Sequence, residues 1–189
     1  MVSLFLSSEF RSVRWRYPIA EALAALSAPP DLIEEPDTSS PEENRMRAEV
    51  LGRFRGYREN RELFEGYPVD VRWFRATLEA HDLPRLKYVD YSYWNELSGG
   101  TRRPVDAATT IRAGRKVFDV PNDGFVAGLR FVRAGGTFSP LILVAPESDG
   151  DLVILEGHVR ATVYALAGQD ELRPFSALVG LHDAFRGWV

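Results

Sequence analysis

The stretch from Asp151 to Gly168 constrains the fold of this chain more than any other. Residues 153–155 form a short apolar run that contains β-branched side chains, and a charged break with one glycine, Gly157, follows it. Beyond this break the chain is rich in alanine, has apolar residues at helical spacing and ends its periodic pattern at a second glycine. This order predicts a buried strand, a tight turn and a helix.

The turn carries polar side chains that suit an anion site. Glu156, His158 and Arg160 flank the first turn of the predicted helix, where unpaired backbone N–H groups and the positive end of the helix dipole attract anions. Gly157 lets a ligand approach the backbone, and Arg160 offers a fork of donors. Alternatively, Glu156 and Arg160 pair across the helix start and His158 is a half-buried ring. The four residues taken together favour anion binding.

The motif Glu156-Gly157-His158-Val159-Arg160-Ala161, with Pro140-Leu141-Ile142-Leu143-Val144 before it, resembles the ParB/sulfiredoxin-like superfamily. The resemblance covers residues 116–168 and is strongest to the form Asp/Glu-Gly-His-x-Arg found in free serine kinases. In that superfamily a Gly-x-x-Arg-x-x-Ala motif at a helix start holds nucleotide phosphates. The resemblance implies an α+β fold, with a small mixed sheet flanked by helices, and a bound nucleoside di- or triphosphate (ATP, ADP or CTP), with or without Mg²⁺. The residues it implies for nucleotide binding are Gly157, His158, Arg160 and Ala161.

A second stretch that is a candidate for ligand binding is the glycine pair Gly99-Gly100, which Thr101 and Arg102 follow. Such a loop exposes backbone N–H groups and a guanidinium to an anion, or it ends a helix with a glycine cap, and the sequence favours neither. Just before it, residues 87–94 are dense in aromatic side chains, which either stack a nucleotide base or, more often, fill a core. Residues 93–102 are also similar to a segment of uncharacterised bacterial proteins, from which no activity follows.

Composition limits the functions that the chain can have. With 189 residues, of which 45% are hydrophobic and 12% aromatic, we expect a folded globule. The net charge of −4 argues against broad binding of nucleic acid. The chain has no cysteine, which excludes disulfides, thiolate metal sites and a cysteine nucleophile, and its three histidines lack metal-ligand spacing. The apolar start is too short for a signal peptide, so we expect a cytoplasmic protein without a membrane partner.

The pattern of elements predicts two parts, an N-terminal helical extension over residues 1–66 and a mixed domain over residues 67–189, which the resemblance implies is ParB/sulfiredoxin-like. In the first part, Ser40 and Pro41 begin a helix, with Glu43 closing a capping box, and the Pro- and Ser-containing residues 31–40 before it indicate a linker. In the second part we expect strands and helices in a mixed order. The predicted strands are 69–73, 140–144, 153–155 and 175–178, and the predicted helices are a short one capped by Thr77, 105–113 and one entered at Asn122.

Two functions follow from these observations. The first is a small-molecule kinase or phosphotransferase, in which Glu96 is the general base, Glu156 orients Arg160 or holds Mg²⁺, His158 assists, and the acceptor is an unknown hydroxyl compound. Glu96 is chosen only because it precedes the glycine pair. The second is a non-catalytic nucleotide-sensing or protein-interaction module. In this case the aromatic residues 87–94 are available for the interface of a homodimer. A third alternative, in which the fold persists without a nucleotide site, gains support if Arg160 is buried against Glu156. No helix-turn-helix pattern follows the motif, so a nucleic-acid partner is not expected.

Overall fold

The computed structural model describes all 189 residues and divides into two compact units, Met1–Asp70 and Val71–Val189. The sequence placed the division after residue 66. The first unit is entirely helical. Its helices are α1 (Val2–Phe10), α2 (Arg16–Ala25), α3 (Asp31–Glu34) and α4 (Pro41–Arg55), with a 3-10 turn at Glu62–Phe64.

Helix α4 begins as the sequence predicts but with a different capping arrangement. The Ser40 hydroxyl accepts a hydrogen bond from the Glu43 N–H at 3.2 Å, and Pro41 occupies the first helical position. The predicted return bond from the Glu43 side chain is wrong, because its carboxylate accepts instead from the Asp37 N–H and from Arg47. Only half of the capping box therefore forms.

Arg47 explains why residues 31–40 are more ordered than a linker. Its side chain is 1% exposed and donates to the carbonyl oxygens of Leu32 at 3.1 Å and Asp37 at 2.6 Å. A buried guanidinium needs such partners, because its charge is costly to remove from water. The segment predicted as a linker or exposed loop thus contains α3 and is bound to α4 by Arg47, together with Glu43 and Asn44.

The second unit combines a sheet with helices. Its strands are β1 (Arg72–Leu78), β2 (Leu86–Tyr88), β3 (Leu141–Ala145), β4 (Leu152–Glu156) and β5 (Phe175–Leu181). Its helices are α5 (Ser92–Leu97), α6 (Pro104–Arg112), α7 (Asp123–Arg133) and α8 (His158–Ala167), with 3-10 turns at Ala80–Arg85 and Asp183–Gly187. The predicted α+β class is confirmed.

The sheet has the order β1-β5-β3-β4-β2 and is mixed. β5 lies antiparallel to β1 and parallel to β3, while β4 lies antiparallel to β3 and parallel to β2. β3 and β4 are buried along their whole length, which explains why their sequences are apolar without alternation. Leu141, Leu143 and Ile154 share one core cluster with side chains of α6, α7 and α8, and the last 3-10 turn packs against β3. None of the helices is both long and apolar enough to cross a membrane.

The predicted ends of helices and strands agree best with the structure where they depend only on neighbouring residues. The structure confirms the helix predicted over residues 105–113 and the entry to α7 to within a residue. The predicted strand over residues 69–73 is wrong at its start, since β1 runs from Arg72 to Leu78. The predicted cap Thr77 lies inside β1 opposite Ser176, and Glu79 caps the short 3-10 turn instead. Pairing with the distant β5, which no local pattern reveals, extends β1 through this position.

Because of two buried tyrosines, we expect the second unit to lose stability at high pH. Removal from water raises the pKa of Tyr88 and of Tyr164 above the usual 10.0. Because the folded state keeps the proton, each tyrosine stabilises the fold fully below pH 10 and loses this contribution as pH rises, by at most about 1.4 kcal/mol per tyrosine and pH unit. Urea titrations between pH 8 and 11.5 should show this fall, with a smaller one in Tyr88→Phe. A free energy of unfolding that stays constant between pH 8 and 11.5 would contradict it.

Candidate functional site

The predicted strand, turn and helix are all present around Gly157. β4 ends at Glu156, Gly157 adopts φ 104° and ψ 23°, and α8 begins at His158. No side chain caps this helix, and its first internal bond runs from the Ala161 N–H to the Gly157 carbonyl at 2.9 Å. The amides of residues 158–160 therefore point beyond the end of the helix, where its dipole is positive.

Only glycine fits at residue 157. A side chain would have to adopt a left-handed backbone, and a Cβ there would lie 2.5 Å from Cδ2 of Leu141, which is completely buried. Ala161, the last residue of the motif, is also completely buried and belongs to the core cluster of the unit. Its small side chain lets α8 pack closely and gives it no access to a ligand.

Arg160 is held by the protein on all sides of its guanidinium. Nη1 donates to the carbonyl oxygens of Ser139 at 2.6 Å and Pro140 at 3.1 Å and to the Ser139 hydroxyl, and Nη2 donates to the Glu156 carboxylate. The side chains of Arg160 and Glu156 are 12% and 9% exposed. Burial raises the pKa of Glu156, and the charge of Arg160 opposes that rise.

These contacts correct the expected role of Arg160. Both terminal nitrogens are engaged by protein oxygens, so the arginine does not present a free fork to ligand oxygens. It fixes the segment 139–140 to the start of α8 and is a positioning residue. The pairing of Glu156 with Arg160, which the sequence left as the structural alternative, is the arrangement that forms.

A stack of three rings, Tyr88, Trp94 and His158, lies beside the start of α8. The Trp94 ring is 5.2 Å from that of His158 with an angle of 19°, and 4.6 Å from that of Tyr88 with an angle of 27°. The Tyr88 hydroxyl is 2.7 Å from Oγ1 of Thr162, which ties the buried end of the stack to α8. His158 and Trp94 remain partly exposed, so part of the predicted core cluster forms a flat apolar surface at the helix start.

Helix α7 brings a second positive helix end to the same place. Phe125, in its first turn, lies 6.4 Å from Trp94, and a Cβ on Gly128 would lie 2.6 Å from Val163 in the middle of α8. The two helices therefore run side by side and begin near the ring stack. Asp123 in the first turn of α7 offsets part of that helix's dipole, so α8 provides the more positive end.

The structure does not bring Glu96 to this surface. Glu96 is exposed and follows Trp94 by two residues in α5, which corresponds to a turn of about 200° around the helix axis. Trp94 faces His158, so Glu96 leaves α5 on the opposite side. The Gly99 and Gly100 N–H groups donate to the carbonyls of Glu96 at 3.1 Å and Asn95 at 2.8 Å, which makes the glycine pair a helix cap.

Thr101 and Arg102 also have structural partners. The Thr101 hydroxyl donates to Asp106 at 2.6 Å, near the start of α6. Arg102 donates from Nε to the Tyr88 carbonyl at 2.9 Å and from Nη2 to the Trp188 carbonyl at 2.7 Å. Of the two alternatives that the sequence left open, the helix cap is the one that forms, and Thr101 and Arg102, which were candidates for phosphate binding, join α5 and α6 to β2 and to residue 188.

Sequence reasoning missed the partners that complete this region. Ser139 and Pro140, whose carbonyls hold Arg160, lie 21 and 20 residues before it, and no pattern in the sequence marks either as its partner. Nor does any group of three or more His, Cys, Asp or Glu side chains lie where it could hold a metal ion. Comparisons of the chain with protein-family models, with curated proteins and with solved structures found no match. The ParB/sulfiredoxin-like resemblance stays a prediction.

Proposed function

We propose that residues 71–189 are a ParB/sulfiredoxin-like module that binds a nucleotide at the start of α8. The observation that carries the proposal is the uncapped helix that begins at Gly157 directly after a buried central strand. Several amides of the first turn, together with the helix dipole, provide partial positive charge for a phosphate group. The resemblance of residues 156–161 supports the same position, since its phosphate-holding motif falls on this turn.

The neighbouring side chains would then have different roles in nucleotide binding. Arg160 keeps its protein partners, fixes the turn and adds positive charge next to the phosphate without contacting it. Trp94 and His158 are partly exposed and offer aromatic rings on which a nucleotide base can stack. Binding at this place needs no rearrangement of the Glu156–Arg160 pair.

We favour nucleotide sensing over phosphoryl transfer. Phosphoryl transfer to a hydroxyl requires a base within hydrogen-bonding reach of the acceptor. Glu96 leaves α5 on the side opposite to Trp94, and Glu156 is committed to Arg160. The buried pair also suits the third alternative, a fold that persists without a ligand, and a binding experiment separates the two.

Val159→Asp tests the site without disturbing the core. Val159 is 48% exposed in the first turn of α8, so a carboxylate there should leave the free energy of unfolding unchanged or raise it by about 0.3–1 kcal/mol through the helix dipole. The same carboxylate should repel a phosphate and weaken nucleotide binding at least tenfold. Calorimetry and thermal shift with ATP, ADP, CTP, GTP and inorganic triphosphate, with and without Mg²⁺, measure both effects, because a ligand of the folded state raises the Tm.

Val13→Asp is the matched control. It makes the same change of charge at a position that is 98% exposed in the first unit, and it should leave binding unaltered. If no nucleotide binds the unmodified protein, or if Val159→Asp binds as tightly as the unmodified protein, the proposal is rejected and the fold lacks this ligand.

A further inference from the structure

A cleft of about 240 Å³ lies away from the ring stack, between the end of α7, the middle of α8 and the start of β5. Its lining is polar and apolar in similar measure, and its apolar part includes the rings of Phe138, Tyr164 and Phe175. The Tyr164 ring is 4.3 Å from that of Phe175 with an angle of 27°, and 5.9 Å from that of Phe138 with an angle of 61°. Tyr164 and Phe175 are buried, so these rings form a fixed wall.

One charged side chain, Arg173, lines this cleft. It is exposed and takes part in none of the ion pairs or hydrogen bonds of the structure, whereas the nearby Arg133 pairs with Glu171 at 2.8 Å. Nη1 of Arg173 is 4.0 Å from where a Cβ on Gly135 would lie, so the guanidinium is next to the turn that ends α7. The negative end of the α7 dipole attracts the Arg173 guanidinium, but this group donates to none of the helix carbonyls.

We propose that this cleft binds a small aromatic monocarboxylate, with its ring against Phe138, Tyr164 and Phe175 and its carboxylate on Arg173. A wall of three aromatic rings with one unpaired guanidinium at the edge matches an apolar ring with one negative charge. The volume is below the roughly 300–1,000 Å³ of sites for drug-sized ligands, which limits the ligand to one ring with a short acid chain. The site is separate from the start of α8 and does not depend on nucleotide binding.

Calorimetry and saturation-transfer NMR with 3-phenylpropanoate and benzoate test this proposal on the full chain. We expect 3-phenylpropanoate to bind, its neutral amide to bind at least tenfold more weakly, and Arg173→Ala to remove this preference for the acid. Arg133→Ala is the matched control, because it removes a neighbouring exposed arginine that does not line the cleft, and it should leave binding unchanged. Thr137→Phe, which enlarges an exposed lining side chain, should block both compounds.

The outcomes separate this site from the nucleotide site. Val159→Asp should bind 3-phenylpropanoate like the unmodified protein, whatever its effect on nucleotides. Absence of binding by both acids, equal binding of acid and amide, or full binding by Arg173→Ala would each overturn the assignment.

Discussion

Replacing Arg160 with alanine will lower the free energy of unfolding of the second unit by about 3–5 kcal/mol, the range for removal of one member of a buried ion pair. The variant leaves the Glu156 carboxylate, whose side chain is 9% exposed, without its guanidinium. It also leaves the carbonyls of Ser139 and Pro140 without this donor. An unpaired buried group loses both water and its partner, so removal of one residue costs more than the pair contributes.

Urea titration followed by tryptophan fluorescence measures this loss. Arg133→Ala is the matched control, because it also removes an arginine bonded to a glutamate, but the pair with Glu171 is 54% and 41% exposed. An exposed pair contributes under about 1 kcal/mol, so the control should change little. The double variant Glu156→Leu with Arg160→Met should recover much of the lost stability. Similar losses in Arg160→Ala and Arg133→Ala would show that burial of the Glu156–Arg160 pair does not affect the free energy of unfolding.

Gly157→Ala is the second large effect, with an expected loss of about 2–5 kcal/mol. One part is the left-handed backbone at φ 104°, which costs an L residue about 1–2 kcal/mol. The other part is overpacking, usually about 1–3 kcal/mol, since the new Cβ would lie 2.5 Å from the completely buried Leu141. The loss is again measured as a free energy of unfolding in urea.

Gly114→Ala separates the two parts of this effect. Gly114 has φ 70°, and no atom lies within 4 Å of where its Cβ would be, so alanine there should cost only the backbone part. In a Leu141→Ala background, Gly157→Ala should likewise lose its overpacking part. Equal losses at the two glycines in the unmodified protein would rule out a steric role for Leu141.

The sequence predicted best those structural features that depend on residues close together in the chain. The order of strand, glycine turn and helix around Gly157 follows from local periodicity, and the structure contains it with nearly the predicted bounds. The cap at Ser40 was equally clear, because a capping side chain lies three residues from its donor. A glycine in the left-handed region was also readable, since few other residues adopt that backbone.

The misses at Arg160 and Arg102 share one cause, which is contact between residues far apart in the chain. Arg160 looks like a free donor until Ser139 and Pro140 fold beside it. Arg102 likewise finds its acceptors at Tyr88 and Trp188, on two distant segments. Charged side chains with several donors have no sequence signature for being satisfied within the fold, so a motif overstates how many of them face a ligand.

The position of β5 has a consequence for biosynthesis. The last strand of the unit lies between β1, its first strand, and β3. A growing chain therefore holds two strands with open edges, one of them completely buried in the finished sheet, until the ribosome releases residues 175–181. The second unit can complete its folding only after residues 175–181 have left the ribosome, whereas the helical first unit, whose contacts are local, can fold before they are made.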